Sequence, residues 1–317
     1  MSDRTLADVG EFRLIDEITE RLSLGPDVLI GPGDDGAVLA VDSPLVCSVD
    51  VLVENVHFKT VWSPADAVGR KAVAVNVADI EAMGATATGL VVGFAAPPET
   101  PETWALDFAR GLREECERAG VSLVGGDVTS ASQIAISATV LGSLDGRSAV
   151  TRDGARPGNV VACCGRLGWA AAGLTVLARG FRSPRAAVQA QLVPEPPYGQ
   201  GKVAALAGAT AMIDVSDGLL ADLGHIAARS GVAIDLRSDA FPIAEPLQAV
   251  AAATGSDPLG LVLGGGEDHA LVATFGPDAV PEGWMTVGTV AAPDDAGPIV
   301  TVDGTVWDGD RGWDHYA

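Results

Sequence analysis

The sequence predicts a mixed α/β protein of two domains, and three observations carry that expectation. The chain has 317 residues, about two domains' worth at ~150 residues each and ample for a buried core. Apolar runs rich in Val, Ile and Ala alternate with stretches of helical periodicity from end to end, the pattern of strands and helices packed in layers. Midway, residues 145–159 (DGRSAVTRDGARPGN) are polar and rich in Gly and Arg. They set a boundary near Ser148, giving domains at 1–148 and 149–317.

Strands are expected at Val28–Ile30 and Leu45–Val53. A helix follows over Ala65–Met83, where Val68, Ala72, Val75 and Asp79 recur at helical spacing. Next come a strand at Gly89–Phe94, a helix over Pro101–Ala119 stopped by Gly120, and a strand at Gln133–Leu144. In the second half, strand Val160–Cys163 leads to helix Trp169–Ala178 and a proline-punctuated turn at Pro194–Pro197. Strand Ala211–Val215 feeds a helix over Asp217–Arg229 whose Leu220, Leu223, Ile226 and Ala227 share one face. A further strand and Gly264–Gly266 precede the apolar run Ala270–Phe275.

At 48% hydrophobic and 20% charged residues the composition is that of a globular protein, not a disordered one. Twenty Lys and Arg stand against 42 Asp and Glu, a formal net charge of −22. Such a surface repels DNA, RNA and anionic lipid, whose binding rests on cationic neutralisation of phosphate. Neither nucleic acid nor membrane is an expected partner. Cys47, Cys116, Cys163 and Cys164 form no CxxC pair, and with the polar start MSDRTLADVGEF they read as reduced thiols of a cytoplasmic protein. The longest uncharged stretch, Ala82–Pro98, is interrupted by Gly and Pro and falls short of a membrane span.

The placement of aspartates is the most informative feature. Glycine-flanked acids recur at expected strand ends, each directly after an apolar run: GPGDDG (31–36), SVD (48–50), GGD (125–127), DVSDG (214–218) and GGGED (264–268). Strand ends opening into Gly turns are where α/β folds bind ligands, because backbone can approach closely there. Any one such turn is accounted for as a solvated loop; five in one chain point to a shared acidic site. Gly31, Gly33 and Gly36 satisfy GxGxxG, but Asp34 and Asp35 would face a pyrophosphate. Each such contact at ~4 Å costs about 4 kcal/mol at an effective dielectric of 20. Lys202 is followed by Val203, so a Walker A motif is missing too.

Phosphate binding through metal remains. Carboxylates are hard ligands suited to magnesium or calcium, and Asp35, Asp50, Asp79, Asp127, Asp214 and Asp217 would together hold several ions. Scattered histidines and no HExxH argue against zinc. Asp79 and Asn76 interrupt the apolar helix KAVAVNVADIEAMGA, where a polar side chain is costly unless paired, coordinated or solvated. Ser216 and Asp217 stand at N-cap positions; capping alone accounts for them, and the same helix terminus would also welcome phosphate.

Together, GPGDDGAVL, SVDVLVENVHF, KAVAVNVADIEAMGA, GGDVTS, TRDGARPGN, DVSDGLLADLGHIA and GGGEDHALVAT resemble, in order and over nearly the whole chain, the thiamine-monophosphate kinase family. That family belongs to the superfamily of aminoimidazole ribonucleotide synthetase-like ATP-dependent enzymes. The resemblance implies two α/β domains of that type, the N-terminal domains pairing in a homodimer. It implies ATP-dependent phosphorylation of thiamine monophosphate, with Mg2+ held by Asp35, Asp50, Asp79, Asp127, Asp214 and Asp217, assisted by Ser48 and the backbone of Val49. ATP would contact Gly126, Asp127, Arg152 and Ser216. Thiamine monophosphate would contact His57, Glu267 and, by stacking, Trp313. This chain departs from the family at Val49, usually Thr, and at His269, usually Tyr. A packed or surface role for His57 and a docking role for Trp313 stand beside these readings, although a flat cationic heterocycle favours an aromatic face.

Other superfamily activities fit less well. A selenophosphate synthetase would want Cys and Lys in its N-terminal loop, whereas the first are Cys47 and Lys59; a hydrogenase maturation factor would want a C-terminal Cys, whereas the chain ends His315-Tyr316-Ala317. An aminoimidazole ribonucleotide synthetase and a catalytically silent cation-binding protein are the remaining alternatives.

Overall fold

The computed structural model describes residues 4–9, 11–30, 38–40, 44–295 and 297–313. The chain divides into two compact units, Met1–Ile80 with Thr86–Gly146, and Glu81–Ala85 with Arg147–Ala317.

In the first unit, α1 (Leu6–Val9), α2 (Glu11–Thr19) and the short pair β1 (Val28–Ile30) and β2 (Val38–Leu39) precede β3 (Leu45–Val53), α3 (Ala65–Ala82), β4 (Thr86–Ala96), α4 (Glu102–Ala119), β5 (Ser122–Ser130) and β6 (Ala135–Ser143). The main sheet runs β3-β6-β4-β5, antiparallel except for the parallel β4/β5 pair. Period-two alternation buries Leu52, Leu90, Val92, Phe94, Ile136 and Val140 on one face. The other face carries Leu45, Cys47, Val49 and Val51, all exposed. Helix α3 is buried nearly all round because Ala and Val fill its turns, and it crosses α4 backbone to backbone at Gly69 and Gly111. Phe94 stacks on Phe108 at 5.2 Å and Phe108 on Trp104 at 5.7 Å, which seats α4 on β4. Gly120, left-handed at φ 71°, ends α4.

The second unit orders β7 (Val160–Cys164), α5 (Trp169–Ala178), α6 (Arg185–Leu192), α7 (Gln200–Leu206), β8 (Ala211–Val215), α8 (Leu219–Ser230), β9 (Ala233–Leu236), α9 (Glu245–Thr254), α10 (Pro258–Gly264), β10 (Ala270–Phe275), β11 (Met285–Ala291) and β12 (Ile299–Val302). Its sheet runs β12-β9-β11-β7-β10-β8, parallel only at β12/β9. Ala162, Met212, Leu271, Ala273, Phe275 and Trp284 share one core cluster. Leu220, Leu223, Ile226 and Ala227 of α8 are buried, as their common face predicts.

Two expectations are corrected. SVD and GGD do not lie at strand ends: Asp50 is inside β3 and Asp127 inside β5. Nor do Ser216 and Asp217 cap α8, whose N-cap is Gly218; the amides of this turn are satisfied from inside the helix. No helix among the described residues is long and apolar enough to cross a membrane.

Candidate active site

In the first unit, β3 and α3 bring three predicted ligands together. Ser48 and Asp50 share the inward face of β3 by strand alternation, opposite the Asn76–Asp79 turn of α3. The Ser48 hydroxyl donates to Asp79 Oδ2 at 2.5 Å. Asn76 Oδ1 accepts the Asp50 amide at 3.1 Å while its Nδ2 donates to the Ala72 carbonyl at 2.8 Å. The polar residues of this apolar helix are thus paired, which offsets their burial. Asn76 does so at 1% exposure.

His57 lies just beyond β3, in a turn where its Nδ1 accepts the Val53 amide at 3.0 Å. That bond requires an unprotonated Nδ1, so the neutral ring carries its hydrogen on Nε2. The ammonium of buried Lys71 donates to the His57 carbonyl at 3.1 Å.

Asp127 is not brought to the Ser48–Asp79 pair. Register aligns Asp50 with Ala138, Val92 and Gly126; Asp127 falls in the next row and projects from the outer face with Val51. Val49 shares that face at 56% exposure. Gly126 is required where it stands, since a Cβ there would overlap the Val92 carbonyl. Asp35, with the whole GPGDDG segment, lies outside the described residues.

In the second unit, the first turn of α8 and two other segments, at Glu267 and Trp313, converge on the DVSDG turn. The carboxylate of Asp222, in the first turn of α8, accepts the amides of Ser216, Asp217 and Gly218 at 3.1, 3.2 and 3.0 Å. Glu267 donates its amide to the Ser216 carbonyl at 2.7 Å, and Trp313 donates its amide to the Asp217 carbonyl at 2.9 Å. Backbones meet so closely that a Cβ on Gly266 would overlap the Ser216 carbonyl. Asp214, buried at the end of β8, has Oδ2 3.0 Å from His269 Nδ1. Gln191 Nε2 donates to Glu267 Oε2 at 3.0 Å. Asp268 accepts the Gly168 and Ala170 amides at 2.5 and 2.8 Å, holding the start of α5. Arg152 is exposed and its carbonyl takes the hydroxyl of Ser230 at 2.8 Å, at the end of α8 opposite the DVSDG turn, so its main chain is not brought to Ser216.

Electrostatics in the second unit are one-sided. Burial, then the charges of Asp214 and Asp217, push the Asp222 carboxyl up to about 7 against the pull of the Gly218 and Asp217 amides. Burial likewise pushes Asp268 up to about 7. Carboxylate and hydroxyl oxygens are the donors magnesium takes, and a divalent cation would relieve the crowding at Asp222. The residues therefore fit that ion as partial sets, Ser48 with Asp79 in one unit and Asp214 with Asp217 in the other. Among the described residues no group of three or more acidic, His or Cys side chains is placed to hold a metal ion.

Sequence reasoning missed Gln191, Asp222 and Asp268. Asp222 carried a signal, an acid in the first turn of a predicted helix, and Asp268 belongs to GGGED. Gln191 carried none, because its role exists only once α6 approaches the 264–269 turn.

The chain is similar to known proteins over nearly its whole length. Residues 33–144 match the N-terminal domain and residues 156–293 the C-terminal domain of AIR synthase related protein. The thiamine-monophosphate kinase of Mycobacterium tuberculosis is 50% identical over 316 residues, covering 99% of this chain and 93% of the relative. The crystal structure of thiamine-monophosphate kinase from Stenotrophomonas maltophilia K279a superposes with a TM-score of 0.79 at 32% identity, covering 93% of this chain and 96% of that one. AaThiL complexed with AMPPCP and TMP also gives 0.79, at 30% identity, with 99% and 100% covered. On both domain matches and a likeness that runs the length of the chain, the protein belongs to the AIR synthase related family and, within it, to the thiamine-monophosphate kinases.

Proposed function

We propose that the chain transfers the γ-phosphoryl group of ATP to thiamine monophosphate, giving thiamine diphosphate and ADP by direct in-line displacement. The observation that carries this reading is the convergence on DVSDG: main-chain bonds bring Glu267 and Trp313, assigned to the thiamine substrate, onto the turn of Ser216 and Asp217, assigned to nucleotide and metal. The AMPPCP and TMP complex of AaThiL, on the same fold, supports the pairing of substrates.

The acceptor needs no general base, since a phosphate monoester has its second pKa near ~6 and is mostly dianionic at neutral pH. Opposed anions must instead be held together and in line. Ser48, Asp50, Asp79, Asp127, Asp214 and Asp217, with Asp35 and the Val49 backbone, are the residues that hold magnesium. Several Mg2+ ions, when bound, supply the charge neutralisation and alignment that few lysines provide here. Gly126, Asp127, Arg152 and Ser216 hold ATP. His57 presents Nε2–H to the phosphate side of the acceptor, Glu267 takes the cationic heterocycle, and Trp313 stacks on it. Residues 1–148 form the ATP and metal domain, and 149–317 complete the nucleotide and substrate site.

The working form is a cytoplasmic homodimer joined through the β3 side of the outer face of the first unit's sheet, away from Asp127 on β5 at the other edge. Cys47, Val49 and Val51 form an apolar patch there that an isolated protomer leaves in water.

Purified protein with Mg-ATP should convert thiamine monophosphate to thiamine diphosphate, followed by chromatography. ATP turnover only with a different acceptor, or cation binding without turnover, overturns the reading.

A further inference from the structure

Asp214, a proposed magnesium ligand, is paired in the buried interior with His269, which the proposed chemistry does not use. Asp214 is 4% exposed and His269 6%, and His269 Nδ1 lies 3.0 Å from Asp214 Oδ2. An ionised carboxylate only accepts, so Nδ1 carries the hydrogen and donates it. The backbone beneath the ring is held on both sides. His269 donates its amide to the Val215 carbonyl at 2.9 Å, and Ala270 pairs with Val215, as Leu271 does with Asp214, in the β8/β10 ladder. His269 has φ 52° and Glu267 φ 67°, left-handed values that residues with side chains seldom adopt. The turn keeps them because its amides latch onto Val215 and Ser216.

We infer that His269 is a positioning residue for Asp214. Unheld, a carboxylate rotates about its Cβ–Cγ bond and offers either oxygen to a cation. The bond to Oδ2 fixes the carboxylate plane and directs Oδ1 to the ligand. Hydrogen bonds of this kind to ligating groups typically govern metal affinity by 10–100-fold. The inference rests on the proposed role of Asp214 as a magnesium ligand, and it gives His269 a function distinct from contact with either substrate.

The test compares His269→Leu, which fills the space without a donor, with His269→Asn, whose amide nitrogen reaches the place of Nδ1. Binding of Mn2+ to the full chain with a non-hydrolysable ATP analogue is followed by electron paramagnetic resonance. His269→Leu should weaken Mn2+ binding by ~10–100-fold and raise the Mg2+ needed for half-maximal turnover by a similar factor. His269→Asn should recover both to within about threefold, and the KM for thiamine monophosphate should stay within about twofold in both. Unchanged Mn2+ binding in His269→Leu, or His269→Asn as impaired as His269→Leu, overturns the inference. Should His269→Leu not fold, His269→Gln, whose amide reaches the place of Nε2 instead, takes its part with the same outcomes. Wild-type protein that makes no thiamine diphosphate defeats the proposed function instead, whatever the variants bind.

Discussion

The amide of Trp313 donates to the carbonyl of Asp217 at 2.9 Å, and the residue as a whole is 64% exposed. An aromatic whose main chain is already anchored costs less to order against a ligand. Stacking on a thiamine ring would contribute ~0.5–2 kcal/mol. Trp313→Ala should therefore raise the KM for thiamine monophosphate by roughly 2- to 30-fold, at 1.4 kcal/mol per tenfold, and leave the KM for ATP nearly unchanged. A variant weakened toward ATP alone assigns the tail to the nucleotide. One altered only in melting temperature makes it a structural clasp.

Asp79 is held by the Ser48 hydroxyl at 2.5 Å, and an asparagine keeps an oxygen there to accept it. Asp79→Asn should thus fold normally while losing at least ~10-fold in turnover and needing more magnesium. Wild-type turnover with a wild-type magnesium titration would remove Asp79 from the site.

The α3/α4 crossing predicts a stability effect remote from the chemistry. A Cβ at Gly111 would overlap the Asp66 carbonyl, and one at Gly69 the Phe108 carbonyl; backbone must move to admit either. Gly111→Ala should cost ~1–3 kcal/mol, as overpacking does. At ~2–4 °C per kcal/mol for a domain of 150–250 residues, the melting temperature should fall by several degrees. A wild-type melting temperature would show that the crossing is not tight.

How far such features were legible depends on range. Helix Trp169–Ala178 and strand Ala211–Val215 were legible to the residue, because composition changes sharply at both ends. Strand β5 was not: its two glycines read as a turn, and only the neighbouring carbonyl of Val92 shows why Gly126 is tolerated in a strand. Helices α6, α9 and α10 were missed because their Ala- and Leu-rich turns have little amphipathic contrast. At the site, the identities of Ser48, Asp79, Asp214 and Glu267 were visible as motif members, whereas the Asp214–His269 bond and the Gln191–Glu267 bond join residues 55 and 76 positions apart. No local pattern reports such pairs.

Asp268 gives a pH dependence whose sign follows from burial. Its carboxyl is raised from 3.8 to about 7 in the folded protein, so the stability it contributes is greatest below ~4 and is lost as pH rises through ~7. Asp268→Asn cannot titrate. The stability of wild type relative to that variant should rise as pH falls from 8 toward 5, by at most ~1.4 kcal/mol per pH unit. General repulsion from the −22 charge eases equally in both proteins and cancels in the difference. Parallel melting-temperature curves for the two proteins would place Asp268 in its ordinary range.

The dimer makes a prediction that separates one thiol from the other three. Cys116 and Cys163 are buried and Cys164 is partly so, and burial pushes Cys116 up to about 12 and Cys164 to about 11. At pH 8 their thiolate fractions are ~0.1% or less. Cys47 is exposed on the outer sheet face with Val49 and Val51, so a thiol reagent should act there first. If that face joins two protomers, Cys47 should be slow to react at high protein concentration and fast on dilution. Val51→Asp, which sets like charges against each other across a two-fold axis, should yield a monomer by sedimentation with Cys47 reactive at every concentration. Wild-type protein that sediments as a monomer while Cys47 reacts at one rate throughout would leave this apolar face open to water and remove the homodimer from the proposed function.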